Sequence, residues 1–375
     1  MAVRLANVVS LGVKELRSLR ADPVLLFLVF YLFTFAIYTV TTGVKFEVSH
    51  AAIAVVDEDQ STLSRRIAAA SLEPYFLPAE SIAPDRIDRD MGSDKYVFVL
   101  EIPPRFEADT LAGRKPEIQL DIDATAMSMA GNGAAYLVSI ISQEVQGYLD
   151  GGGRALALPI NLVVRTKFNP NQQSDWFVAV MQLINNVTMM AVILTGAALI
   201  REREHGTIEH LLVMPVTPME IMLAKIWANG MAIVVAAVLS LLLVVQGILQ
   251  VPLAGSLPLF IFGTALYLVS VTALGLLVAT FTDSMGQFGL LVLPILIILN
   301  LLSGSTTPME SMPGWLQLIM QISPCTHFVS FSQAVLYRGA GWDAVWPQLA
   351  GVTVTGMLFF VMSMQRFRAA MLQTG

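Results

Sequence analysis

Few side chains in this 375-residue chain stand at spacings that do chemistry. His205 and His210 fall five apart, off the i, i+4 spacing that places two imidazoles on one helix face, so a helical metal pair is not expected. Asp57, Glu58 and Asp59 end an apolar run and read as an acidic turn. Gly131-Asn132-Gly133 lacks the third glycine and the preceding strand of a nucleotide fingerprint. Ser303, Ser305 and His327 have no partner at a spacing that would activate a nucleophile. The one cysteine, Cys325, excludes an intramolecular disulfide and argues against a thiolate metal site. No catalytic residue and no metal ligand is therefore expected. The Gly-x-x-x-x-Gly-Lys-Ser/Thr cradle for nucleotide phosphates does not occur, so ATP and Mg²⁺ would belong to another polypeptide.

Two polar patterns remain. The first is the stretch 201–218, which reads Arg-Glu-Arg-Glu-His-Gly-Thr-Ile-Glu-His-Leu-Leu-Val-Met-Pro-Val-Thr-Pro. After Glu204, Gly206 can break a descending helix and Thr207 can cap a new one, while Pro215 and Pro218 stop it. Ile208, Leu211 and Leu212 would form an apolar edge and Glu209 a charged one, a shape that enters a groove on a partner. The residues alone equally fit a plain loop in a helical hairpin. The second pattern is an amide stripe, Gln182, Asn185, Asn186 and Met189, continuing to Thr195, at spacings that place most of these on one helical face. Amides are costly in lipid, so that face should meet other helices or a polar path, with Asn300 and Ser303 beside Pro294 as further candidates. Interhelical hydrogen bonding accounts for such amides as well as substrate contact does.

The elements that must position these residues are apolar helices. Hydrophobic residues make up 55% of the chain and charged ones 13%, against about 25% charged in soluble domains. Six apolar stretches occur near 24–44, 177–200, 222–249, 257–281, 287–303 and 345–364, each close to the roughly 20 residues that cross a bilayer core. With no water inside lipid, each must satisfy its backbone internally as a helix. The expected fold is an α-helical polytopic membrane protein with six spans split 1+5. None carries a central Asp, Glu, Lys or Arg, which disfavours ion-coupled transport through a buried carboxylate. The stretch 313–337 is interrupted by Pro324 and spread with Gln and Ser. It reads as two short helices on the outer side (308–340) that dip into the outer leaflet or cap the bundle, with Trp315, Trp342 and Trp346 as interfacial anchors and a seventh span as the alternative.

Basic residues set the orientation. Arg4, Lys14, Arg17 and Arg20 precede the first span, Arg201, Arg203 and Lys225 separate the second and third, and Arg366 and Arg368 follow the sixth. The positive-inside rule places all three segments and both termini in the cytoplasm. Residues 1–22 read as an interfacial amphipathic helix, with an ordinary cytosolic stub as the alternative, ended by Asp22-Pro23. The first span (23–44) reads as a retained signal anchor, its apolar run being too long for a cleaved signal.

The insert 45–175 is then extracytoplasmic. It holds 12 Lys and Arg against 19 Asp and Glu, so it carries the acidity of a chain whose formal charge is −6. That balance argues against nucleic-acid binding. β-rich runs at 51–56, 96–102, 118–122 and 160–166 alternate with helical stretches at 61–72 and 127–149, and Gly151-Gly152-Gly153 breaks the second of these. The pattern is that of an inserted mixed α/β domain.

With those residues in view, the chain resembles the permease subunits of ABC-2 type exporters, in the branch with a large extracytoplasmic domain after the first span. The resemblance runs the whole length. It rests most on Asn169-Pro170-Asn171 through 201–216 and Lys225, with Lys14-Glu15-Leu16 and Arg20-Ala21-Asp22-Pro23 as an entry helix. It implies that this chain has no engine of its own. A separate ABC ATPase subunit would meet a coupling helix at 206–214, centred on Glu204, Gly206, Thr207, Ile208, Glu209, Leu211, Leu212 and Pro215. A second permease copy or paralogue would complete the path within the lipid bilayer of the inner membrane. A periplasmic adaptor protein would dock on the insert. The competing class is a membrane sensor or docking receptor, which should carry a cytoplasmic output domain; the cytoplasmic segments here are short loops and tails.

Overall fold

The structure, a computed structural model, describes residues 4–43, 51–70, 75–93, 95–123, 127–151, 174–206 and 215–373. The chain divides into two compact units, Met1–Gly43 with Asp175–Gly375, and Val44–Ser174.

The first unit is helical. An amphipathic helix α1, Leu5–Ala21, leads into six helices long and apolar enough to cross a membrane: Pro23–Gly43, Ser174–Glu204, Pro218–Ile248, Leu257–Ala279, Met285–Leu302 and Trp342–Ala369. Asp22 separates α1 from the first span in extended conformation. Its Oδ1 accepts the Val24 and Leu25 amides at 3.1 and 3.0 Å, while Pro23 occupies the first helical position, where its missing N–H costs nothing. The second span is the most deeply packed and the fifth the least. The core runs from Leu32, Phe33 and Ile37 through Ile184 and Leu199 to Tyr267, Phe328 and Phe331.

Three features depart from straight apolar rods. The first span breaks at Thr34 (φ −126°, ψ −78°), in a stretch with neither Pro nor Gly. The third span passes into π-helix over Leu241–Ile248, where its wider turns leave Leu242, Leu243 and Ile248 outward and Leu241, Val244 and Val245 inward. Between the fifth and sixth spans, helices Gly314–Met320 and Pro324–Leu336 have 7 and 13 residues. At about 1.5 Å per residue neither bridges an apolar core of about 30 Å. The second of them packs inward: the Phe328 ring stacks on Tyr267 with centroids 4.0 Å apart. Two polar pairs inside the bundle join helices to one another, the kind of contact lipid favours. Thr188 and Tyr267 share a hydrogen bond of 2.7 Å, and Ser270 donates to the Val352 carbonyl at 2.9 Å.

The second unit holds a four-stranded sheet in the order β2-β1-β3-β4, with β1 Ile53–Asp57, β2 Glu80–Ser81, β3 Phe98–Ile102 and β4 Gln119–Ile122. β1 is parallel to β2 and β3, and β3 is antiparallel to β4. Period-two alternation gives β1 two buried faces. Val55 packs with Leu63, Ile67, Leu100 and Phe106, while Ala54 and Val56 pack with Ile82, Tyr96 and Val99. Helices α2 Thr62–Ala70, α3 Ile87–Met91, α4 Phe106–Leu111 and α5 Met127–Gly151 accompany it. The acidic triplet serves as a turn and cap: Asp57 accepts the Asp59 and Gln60 amides and the Ser64 hydroxyl, and Asp59 accepts the Glu107 amide at the start of α4. The expected strand at 160–166, and Gly152 and Gly153 before it, lie outside the described residues.

Candidate functional site

The ion pairs of the helical unit, among the described residues, gather at one end. The start of the first span, the end of the second, the start of the third, the end of the fourth and the start of the fifth meet there, as six alternating spans require. Asp22 Oδ2 holds Arg201 at 2.6 Å. Arg203 donates to the Thr282 carbonyl at 2.7 Å and to the Ala279 carbonyl at 3.3 Å, beyond the end of the fourth span. Glu204 accepts the Met285 amide at 2.8 Å, at the N-terminus of the fifth, where a carboxylate meets the positive end of the helix dipole. Arg366 of the sixth lies over the Phe281 ring at 4.3 Å.

The centre of this end is Lys225, almost completely buried. Its Nζ lies 2.9 Å from Glu15 Oε1 on α1 and 2.9 Å from Glu202 Oε2 on the second span. Glu202 also pairs with Lys14 at 3.3 Å. A buried ammonium between two carboxylates is tolerable only because both are in contact with it. The arrangement ties α1, the second span and the third span to one point. α1 is held along its length as well: Trp227 Nε1 donates to the Val8 carbonyl at 3.1 Å, and its ring fills the space where a Cβ at Gly12 would stand, so only glycine allows that approach. Further toward the N-terminus, Glu220 Oε1 accepts the Arg4 amide at 2.6 Å and the Asn7 side chain at 3.3 Å.

From this scaffold the connection between the second and third spans emerges. Gly206 ends the second span in the left-handed region (φ +65°), its N–H returning to the Arg203 carbonyl at 3.1 Å. The third span opens with a capping box, the Glu220 amide donating to Thr217 Oγ1 at 3.3 Å and the Thr217 amide to Glu220 Oε2 at 2.7 Å. Pro218, expected to stop a helix in the loop, instead begins the third span at its first position. The reason is again the spare N–H of a helix start. Of the expected coupling residues, Glu204, Gly206 and the exposed Pro215 are seen at the two edges of the connection. Thr207, Ile208, Glu209, Leu211 and Leu212 lie outside the described residues.

The amide stripe is divided by the fold. Asn186, buried, donates to the Leu32 carbonyl at 2.6 Å and accepts from Gln182 Nε2 at 3.1 Å. It therefore supplies the bond that the break at Thr34 takes from the first span. Asn185 is buried with its Oδ1 unpartnered, and Met189 is half-buried against the core. Asn300 is not brought beside them: it sits on the exposed side of the fifth span, its Oδ1 taking the Thr306 hydroxyl at 3.4 Å. Among the described residues, no group of three or more His, Cys, Asp or Glu is placed to hold a metal ion. Sequence reasoning did not find the pairing of Glu15, Glu202 and Lys225. A buried lysine near a helix start gives no hint of a partner 210 residues away on α1.

A bundle of six apolar helices, with its ion pairs at one end and a connection springing from them, defines a multi-pass membrane protein. Residues 23–364 match the ABC-2 family transporter proteins, and the chain belongs to that family. It is similar to the inner membrane transport permease YhhJ of Escherichia coli K12, 48% identical over 364 residues covering 97% of each chain. It is also similar to two probable multidrug ABC transporter permeases of the same organism. YbhR is 30% identical over 93% of this chain and 96% of its own, and YbhS is 26% identical over 96% and 93%. Family membership implies association with an ABC ATPase subunit.

Proposed function

We propose that this chain is the membrane-spanning subunit of an ATP-driven exporter in the bacterial inner membrane, with its ionic end facing the cytoplasm. The observation that carries the reading is the anchorage of the connection between the second and third spans. Glu202, one turn before Gly206, and Lys225, two turns after Thr217, are joined to each other and to α1. A force on the connection thus reaches three helices through short ionic contacts rather than through loose chain. Closure of a nucleotide-bound ATPase dimer against residues 206–214 would supply that force. The names of two similar permeases, probable multidrug transporters, favour a drug as cargo.

A second permease, copy or paralogue, would cover the fifth span, whose Leu290, Leu293 and Ile297 are the most outward apolar side chains of that helix. The acidic unit Val44–Ser174 would face the periplasm, where it is placed to receive an adaptor protein. Asn185, a buried amide of the second span whose Oδ1 has no partner, is the candidate for substrate contact.

The test is co-purification with transport. The permease should bring down an ATP-binding subunit, and deleting 206–214 should release that subunit and abolish efflux while the permease stays in the membrane. Intact transport after the deletion, with no ATPase bound, would overturn the reading.

A further inference from the structure

Beside the ionic end lies an apolar groove of about 810 Å³ that the proposed mechanism does not use. Leu5 and Val9 of α1 form one wall, Ile226, Gly230 and Val234 of the third span the floor, and Leu268 of the fourth span the other wall. Leu5 is 76% exposed and Val9 47%, although both sit on the apolar face of an amphipathic helix whose Val8 is buried. A volume of this size is that of a ligand site rather than of a packing fault.

We propose that the groove is a resident phospholipid site, with one acyl chain lying along the third span and an anionic headgroup at Arg4. Three observations favour a lipid over a protein occupant. The lining is apolar from end to end, so it offers a chain no hydrogen bonds and a peptide backbone no partners. It opens beside α1, which as an interfacial helix sits at headgroup depth and directs the groove from there into the apolar spans. Its mouth is basic. The backbone amide of Arg4 is fixed by Glu220 at 2.6 Å, while the exposed guanidinium has no carboxylate partner among the described residues, and the first turn of α1 carries no acid. The lipid would complete the seat of α1 against the third span. That role is independent of whether the connection at 206–214 binds an ATPase.

The test uses the full permease, with whatever subunits it carries, extracted in mild detergent and examined by native mass spectrometry after exposure to phosphatidylglycerol or phosphatidylethanolamine vesicles. One phospholipid should persist per permease chain, with phosphatidylglycerol preferred about fivefold. A Cβ at Gly230 would stand 3.7 Å from Leu268 Cβ, an ordinary contact, so Gly230→Leu can fold and grow into the groove. It should remove the bound lipid, and Val234→Phe, a second filling, should do the same. Arg4→Gln should keep the lipid and lose the headgroup preference. Absence of a retained lipid overturns the proposal. So does a lipid that survives both fillings, or one whose headgroup preference is indifferent to Arg4. A crosslink from Val9→Cys to a second copy, in a Cys325→Ser background, would assign the groove to an interface instead.

Discussion

Asn186 donates its side-chain N–H to the Leu32 carbonyl at 2.6 Å, across the break in the first span. The carbonyl has lost its helical partner to the turn at Thr34, and in lipid no water replaces it. Asn186→Leu should therefore act on stability. It orphans a buried acceptor, which costs about 1–3 kcal/mol. Its neighbour Asn185 leaves Oδ1 unbonded, so Asn185→Leu should cost little stability and instead reduce substrate-stimulated ATP hydrolysis. Thermal unfolding in detergent and ATPase assays of the two single variants separate the roles. Equal melting temperatures with equal loss of transport would return both amides to substrate contact.

Lys225 gives the second prediction. Replacing it with Met leaves Glu15 and Glu202 facing each other in a nearly closed space, and breaking a buried pair from one side costs about 3–5 kcal/mol. The single variant should accumulate poorly and expose α1 to protease. Lys225→Met combined with Glu15→Gln and Glu202→Gln removes all three central charges and should regain much of the stability, since apolar or neutral replacements of whole buried ion clusters are often tolerated. If coupling needs the ionic contacts, transport stays low in the triple variant although the protein is folded. Membrane yield and efflux, measured together, read both outcomes.

Hydropathy makes the spans legible because about 20 apolar residues in succession admit few other fates, and the 313–337 segment gives itself away through Pro324 and its scattered amides. The break at Thr34 has no such sign: the run 24–42 holds neither Pro nor Gly, and the compensating Asn186 lies beyond the whole insert. The π-helical end of the third span is equally silent. Gln182 and Asn186 are predictable as a pair because a helix brings i and i+4 together, but their target carbonyl is set by tertiary packing. Pro218 is misread for a local reason: proline both ends and begins helices, and only the capping box of Thr217 with Glu220 decides which.

Glu107 carries a pH prediction for the acidic unit. It accepts the Tyr148 hydroxyl at 2.6 Å and the Leu63 amide at 3.1 Å, joining α4 to α5 and α2. The Tyr148 bond first, and the Leu63 amide second, hold its carboxyl below the usual range. A depressed carboxylate contributes stability that is complete above the unfolded value of about 4.3 and is lost as pH falls through the folded value. Glu101 has the opposite sign. Burial, with the Asp121 carboxylate beside it, raises its pKa, so its contribution is present at low pH and lost as pH rises. Protection of α2 from hydrogen exchange in the whole protein, taken relative to the intrinsic rate at each pH, should fall as acid protonates Glu107, and Glu107→Gln should show low protection already at neutral pH. Glu101→Gln should slow exchange at neutral pH. An α2 exchange rate unmoved by either variant would remove these groups from the account of the unit's stability.

Gly206 provides a test of the connection itself. Its φ of +65° lies where L side chains are disfavoured by about 1–2 kcal/mol, yet a Cβ built there meets nothing within 4 Å. Gly206→Ala thus carries a backbone cost and no steric one. Its expected effect is to extend the second span past Glu204 and so redirect the chain where it leaves the seat held by Lys225 and Glu202. Basal ATP hydrolysis by the associated subunit should persist while its stimulation by substrate falls. Gly206→Asn, which enters the left-handed region more readily, should lie between wild type and Ala. Membrane level and melting temperature should change little in either, because the ionic end is untouched. Wild-type stimulation in Gly206→Ala would show that the turn's geometry is not what couples the ATPase to the spans.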